Sequence, residues 1–126
     1  MNPKDLKYAK THEWVRAEGD TLLVGLTRFA VDQLTDVTYI ELPKVGAKVK
    51  AGEGMGEIES VKAVSDIYAP VSGEVVAVNG ALAADASLVS RDPYGDGWLV
   101  RVRPDAVGPL DHLMAAEDYS KQTEGQ

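Results

Sequence analysis

The chain has 126 residues, no cysteine, 13 basic and 20 acidic side chains, and a formal net charge of −7 at pH 7. That length suits one domain able to bury roughly two thirds of the surface its unfolded form would expose. The acidity disfavours nucleic-acid and anionic-membrane ligands, whose phosphates would be repelled. Without cysteine there is no disulfide, no thiolate zinc site and no cysteine nucleophile, so redox chemistry has to be imported.

In chain order, the start Met-Asn-Pro-Lys-Asp-Leu-Lys has no apolar leader region and no arginine- and serine-rich amphipathic leader, and no later run approaches a membrane span, so bacterial cytoplasm is the simplest expectation. Residues 13–16 and 21–26 flank the turn chemistry of Ala17-Glu18-Gly19-Asp20 and predict a hairpin, with Trp14 as a packing anchor. Thr27 can cap a short helix from Arg28 to Leu34, with Ala30, Val31 and Leu34 inward and Arg28 and Asp32 outward. Val37 to Leu42 is a strand ended by Pro43, which has no amide hydrogen for a ladder. A short strand about Lys48 follows, then the corners of Gly52 and Gly54.

The stretch Gly56 to Gly73 organises the rest. Met55, Glu57 and Glu59 fall on one parity, Gly56, Ile58 and Ser60 on the other, and Val64 to Tyr68 lead away, so the pattern is a hairpin. No Asn-Gly or Asp-Gly pair stands at its tip, which favours a looser type I turn over Ser60 to Ala63. Lys62 is placed in that turn, in water, between Val61 and Ala63 and with no competing lysine beside it. A modifying enzyme would find one accessible ammonium which, once deprotonated, can attack an activated acyl group and give an uncharged amide.

Beyond the hairpin, Pro43, Gly46 and Val49 return as Pro70, Gly73 and Val76, a faint repeat that predicts two similar half-barrels. Strands about Gly73 to Val78 and Leu88 to Val89 come next, then a turn from Asp92 to Gly97. The last strand, Trp98 to Arg103, puts Trp98, Val100 and Val102 on its buried parity and Leu99, Arg101 and Arg103 on the other. Gly108 and Pro109 open a terminal helix to about Tyr119 with Leu110, Leu113, Met114 and Tyr119 on its apolar stripe, and 120–126 is a polar tail expected to fray. Many short strands punctuated by proline and glycine, with two small helices, indicate a mainly β chain, a β-sandwich or flattened barrel.

No catalytic motif is present: there is no Gly-x-Ser-x-Gly, no His-Glu-x-x-His and no phosphate-binding Gly-x-x-x-x-Gly-Lys-Ser/Thr. Ala51 to Gly56 is glycine-rich only as a turn, and its neighbours Glu53 and Glu57 would repel phosphate. His12 and His112 lack metal-ligand spacing, so no metal site is expected.

Glu59-Ser60-Val61-Lys62-Ala63 resembles the lipoylation motif of the glycine cleavage system H protein family. The similarity extends through Tyr8-Ala9-Lys10-Thr11-His12-Glu13-Trp14-Val15, Val24-Gly25-Leu26-Thr27, Val37-Thr38-Tyr39-Ile40-Glu41-Leu42-Pro43, Pro70-Val71-Ser72-Gly73-Glu74-Val75, Val78-Asn79 and Asp92-Pro93-Tyr94-Gly95-Asp96-Gly97-Trp98, covering roughly residues 6 to 119. It implies one lipoyl-carrier domain over 1–126, of the sandwiched-hybrid architecture that lipoyl and biotinyl domains share, with added N-terminal strands and a C-terminal helix. It further implies a non-catalytic, monomeric shuttle with lipoate in amide linkage to Lys62. That arm would take an aminomethyl group from glycine decarboxylase, present it to a tetrahydrofolate-dependent aminomethyltransferase and be reoxidised by dihydrolipoyl dehydrogenase. A lipoate ligase or octanoyl/lipoyl transferase would install the group. By the same resemblance Glu13, Gln33 and Asp66 line a groove for the loaded arm, although Gln33 stands near where other members often have histidine, and Thr35 departs from the usual glycine at its corner. A biotinyl domain usually sets its lysine between methionines, and a 2-oxoacid dehydrogenase lipoyl domain has aspartate just before it, so Val61 and Ala63 argue against both. The remaining alternative is a β-barrel interaction module with Lys62 unmodified.

Overall fold

The computed structural model describes residues 6–9, 11–34, 36–61, 63–104, 113–115, 118–119 and 121. Its strands are β1 (Lys7–Tyr8), β2 (Glu13–Glu18), β3 (Thr21–Leu26), β4 (Val37–Glu41), β5 (Lys48–Val49), β6 (Gly54–Ser60), β7 (Val64–Tyr68), β8 (Gly73–Val78), β9 (Val100–Pro104) and β10 (Met114–Ala115). Helices α1 (Arg28–Leu34), α2 (Ala81–Ala84) and α3 (Leu88–Arg91) fall between them. Among the described residues the strands form a seven-stranded sheet ordered β10-β1-β2-β3-β9-β8-β5 and a three-stranded sheet ordered β4-β6-β7.

Strand alternation explains why both faces of the larger sheet are covered. Val15, Leu22 and Val24 point one way, joining Val75, Val100 and Val102 and meeting Ile40, Ile58 and Ile67 of the smaller sheet. Trp14 and Leu23 point the other way, into a second cluster with Leu6, Tyr8 and Tyr119. Each fully buried side chain of this size contributes about 1.5–3 kcal/mol of apolar burial. The expected anchor, Trp14, is completely buried and donates its indole N–H to the Pro93 carbonyl at 2.8 Å. Its cross-strand neighbour has to be glycine, since a Cβ on Gly25 would lie 2.5 Å from the indole ring.

Most of the expected order is present, including both hairpins, α1, β4 and the strand over residues 73–78. Thr27 caps α1 as anticipated: its hydroxyl oxygen accepts the Ala30 amide at 3.2 Å. The sheets form a sandwich and do not close into a barrel; short strands, β5 and β10, end the larger sheet. The two copies of the faint repeat lie side by side, Lys48 and Val49 pairing antiparallel with Glu74 and Gly73.

Three expectations are corrected. Leu88 and Val89 begin α3 instead of forming a strand; the Asp85 carboxylate accepts the Ser87 amide and hydroxyl, and the amides of Arg91 and Asp92 then close helical bonds to the Ser87 and Leu88 carbonyls. Leu99, assigned to the wet parity of the last strand, precedes β9 and is fully buried, its amide donating to the Val24 carbonyl at 2.8 Å. The terminal helix is not continuous to Tyr119, because Met114 and Ala115 pair with Tyr8 and Lys7; residues 118, 119 and 121 are helical. Lys62, Thr35, Leu110 and His112 lie outside the described residues, as does most of the 120–126 tail.

Candidate functional site at the lysine hairpin

Strands β6 and β7 pair from Gly54 opposite Tyr68 to Glu59 opposite Val64, and β4 flanks β6 on its other side. Only glycine fits at position 56, where a Cβ would lie 2.2 Å from the Glu41 carbonyl oxygen, so β4 and β6 approach closely at the foot of the hairpin. At the tip, the Ser60 amide donates to the Ala63 carbonyl at 2.8 Å and the Ala63 amide to the Ser60 hydroxyl at 3.2 Å. Two residues therefore span the tight end of the hairpin, Val61 and, by sequence, Lys62. A further bond from the Val61 amide to the Asp36 carbonyl, 3.2 Å, ties the tip to the corner after α1. Val61 is 66% exposed and Val64 55%, and Ala63 is exposed as well. Apolar side chains of this exposure around a tip leave the surface open for a modifying enzyme to grip.

The three residues assigned to the arm groove are in unlike settings. Glu13, at the start of β2, is 1% exposed, a rare state for a carboxyl group. Its carboxylate oxygens accept the Thr11 hydroxyl and, at 3.4 Å, the Tyr68 amide of β7. Burial outweighs these bonds and pushes its pKa up to about 7. Asp66 is exposed on β7, opposite Glu57, which is itself opposite Glu41, a row of three acids across the small sheet. Gln33 is exposed on α1. Glu13 is thus joined to β7 two residues from Asp66, but among the described residues no hydrogen bond or ion pair links Glu13, Gln33 and Asp66 to one another.

A groove of about 350 Å³ opens between α1 and α3 beside the same Asp36 corner, lined by Val31, Asp32, Asp36, Val37, Ser90 and Arg91 among others. None of Glu13, Gln33 and Asp66 lines it. Two further residues shape the surroundings of Glu13, neither of them assigned to the arm groove from the sequence. His12 has a φ of 77° and its Nδ1 is 2.6 Å from the Tyr119 hydroxyl. Burial lowers the His12 pKa and raises that of Tyr119 to about 12. The polar trio Thr11-His12-Glu13 ahead of an apolar strand was a signal for the first of these; the second reads locally only as part of an apolar stripe.

A two-sheet sandwich that projects a closed hairpin, its tip exposed on both sides of one lysine, belongs to the class of carrier domains, which present a side chain to other proteins and hold no reaction centre of their own. The family model described as "Glycine cleavage H-protein" matches residues 6–126. A glycine cleavage system H protein of Thermus thermophilus is 54% identical over 124 residues, spanning 98% of this chain and 97% of the relative, and one of Gloeobacter violaceus is 48% identical over 124 residues, spanning 98% and 96%. The crystal structure of a glycine cleavage system H protein from Mycobacterium marinum superposes with a TM-score of 0.90 at 44% identity, covering 98% of this chain and 99% of that one. The chain belongs to the glycine cleavage H-protein family: it is a carrier component of the glycine cleavage system and not itself a catalyst.

Proposed function

We propose that Lys62 is the attachment point, its ε-amine forming an amide with lipoate, and that the whole chain works as one carrier domain in the bacterial cytoplasm. The observation that carries this reading is the hairpin tip: closed by Ser60 and Ala63, pinned to Asp36 through Val61, and exposed at Val61 and Ala63 on either side of the lysine. Among the described residues no helix is long and apolar enough to cross a membrane. When bound, lipoate would supply a disulfide on a long flexible arm: it would be reduced as an aminomethyl group joins one sulfur at glycine decarboxylase with release of carbon dioxide, the one-carbon unit would pass to tetrahydrofolate at aminomethyltransferase with release of ammonia, and dihydrolipoyl dehydrogenase would reoxidise the dithiol. Tethering raises the effective concentration of the cargo at each of these active sites without new contacts.

The chain's own contribution is to position and to shelter. Pairing of β6 with both β4 and β7 holds the hairpin stiff, so the attachment point does not collapse onto the body of the protein. Glu13, bonded to the Tyr68 amide at the foot of β7, is the carboxyl group that receives the ammonium of a returning arm, with Asp66 of β7 and Gln33 of α1 as exposed polar groups of the groove. A carboxyl that titrates near 7 ionises readily once a cation approaches, because the opposite charge offsets the burial. The enzyme installing lipoate, a ligase or an octanoyl/lipoyl transferase, would grip the exposed valines of the tip.

The test is Lys62→Arg in a reconstituted glycine cleavage system. The expected result is loss of glycine-dependent turnover to background with an unchanged far-ultraviolet circular dichroism spectrum. Turnover at the wild-type rate would sink the attachment assignment.

A further inference from the structure

Glu13 is not held in place by its own strand alone. The residue before it, His12, is the one non-glycine with a positive φ among the described residues, at 77°, a left-handed conformation that costs free energy in a residue bearing a Cβ. This kink folds the chain so that the Thr11 hydroxyl meets the Glu13 carboxylate two residues later. Backbone bonds fix the corner: the His12 amide donates to the Ala9 carbonyl at 2.9 Å, and the Thr27 amide to the His12 carbonyl at 3.1 Å.

The His12 ring is held by groups from distant parts of the chain. Its Nδ1 is hydrogen-bonded to the Tyr119 hydroxyl at 2.6 Å, 107 positions away, and its ring packs on Phe29 with centroids 4.8 Å apart. The same hydroxyl is 2.7 Å from the Thr27 hydroxyl, whose oxygen also caps α1. Tyr119 is fully buried and stacks on Tyr8 at 4.8 Å. Stacking alone would anchor the ring. The hydroxyl does something more, joining the strained residue to the helix cap.

We propose that Tyr119 is a positioning residue: its hydroxyl holds His12 in the left-handed conformation and thereby sets the Glu13 carboxyl group against the Tyr68 amide at the foot of the lysine hairpin. Tyr119 is then part of what supports the arm site. The proposal deepens the reading of Glu13 given above and rests on it only for the second of two readouts.

The experiment is a side-chain carbon NMR titration of Glu13 in the full-length lipoylated protein, with the hydrolytic lifetime of a loaded aminomethyl group measured alongside, for wild type, Tyr119→Phe, His12→Gly and the double variant. Tyr119→Phe keeps the ring and its stacking. It is expected to free the Glu13 carboxyl group from the Tyr68 amide, whose bond favours the ionised form, and so to move the Glu13 midpoint further up, and to shorten the lifetime about five- to tenfold, the scale of one lost buried hydrogen bond. Glycine adopts a φ of 77° freely, so His12→Gly should stay close to wild type and suppress the effect of Tyr119→Phe in the double variant. An unmoved midpoint in Tyr119→Phe, or effects that simply add, would overturn the proposal and leave Tyr119 as packing. A moved midpoint with an unchanged lifetime would support the positioning role and reject Glu13 as the arm's partner. If Tyr119→Phe does not fold, a folded double variant with a wild-type midpoint supports the proposal and an unfolded one overturns it.

Discussion

The tip of the lysine hairpin and the polar knot behind Glu13 lie on neighbouring elements but are held in opposite ways. The tip depends on a few bonds from backbone amides, to the Ala63 and Asp36 carbonyls and the Ser60 hydroxyl, and exposes Val61 and Val64. The knot is held from many sides: Thr11, Tyr68, Thr27, Phe29 and Tyr119 all bear on His12 or Glu13, and Trp14 beside them is fully buried. A carrier needs both. An attachment point must be open to several enzymes, whereas a carboxyl group that receives a charged cargo must not drift, because burial magnifies electrostatic effects and a small displacement weakens them. Substitutions on the two sides should therefore differ in kind as well as size.

The largest effect is expected from Trp14→Ala. It removes the largest side chain of the second cluster and leaves the Pro93 carbonyl without its indole partner, so urea unfolding should show a loss of about 3–5 kcal/mol. A loss under about 1 kcal/mol would mean that the knot is not braced by this cluster.

Next comes the pH dependence of Glu13. Its folded pKa of about 7 lies above the ordinary glutamate value of 4.5, so between those values the folded state keeps a proton that the unfolded state releases, and stability falls as pH rises through the window. The contribution is on the order of 3 kcal/mol. Glu13→Gln cannot ionise, so its stability relative to wild type should grow from pH 4.5 to 7 and then level off. Burial acts on His12 with the opposite sign, favouring neutral imidazole as pH rises toward 6.5, but His12 is present in both proteins and cancels in the difference. A difference that is flat with pH would contradict the buried, elevated carboxyl group.

The smallest effect belongs to the tip. Val61→Ser should change unfolding free energy by no more than about 0.5 kcal/mol, since the side chain is 66% exposed, while slowing enzymatic lipoylation. A large stability loss here would erase the contrast between the two regions.

The sequence displayed these regions unequally. The hairpin was legible because alternation over Met55 to Ser60 and the run Val64 to Tyr68 are local patterns, and α1 was marked by its Thr27 cap. Leu88-Val89 misled because a short apolar pair ending in β-branched valine reads as a strand, whereas Asp85 and Ser87 just upstream start a helical turn through side-chain bonds no periodicity reveals. The Ala81 to Ala84 helix had a readable signal in its alanines and in Asn79, whose side-chain oxygen accepts the Ala81 amide. At the site, the small polar trio at 11–13 was visible but its meaning was not. The left-handed His12 beside Glu13 is bonded to Tyr119, a contact across 107 positions that only the folded chain creates.

The most direct test of the central assignment is peptide mass mapping of the protein purified from its own source. One lipoyl group confined to the peptide that contains Lys62 is the expected result. Lipoate on another lysine, or an unmodified Lys62 in cells whose other lipoyl proteins are fully loaded, would contradict it.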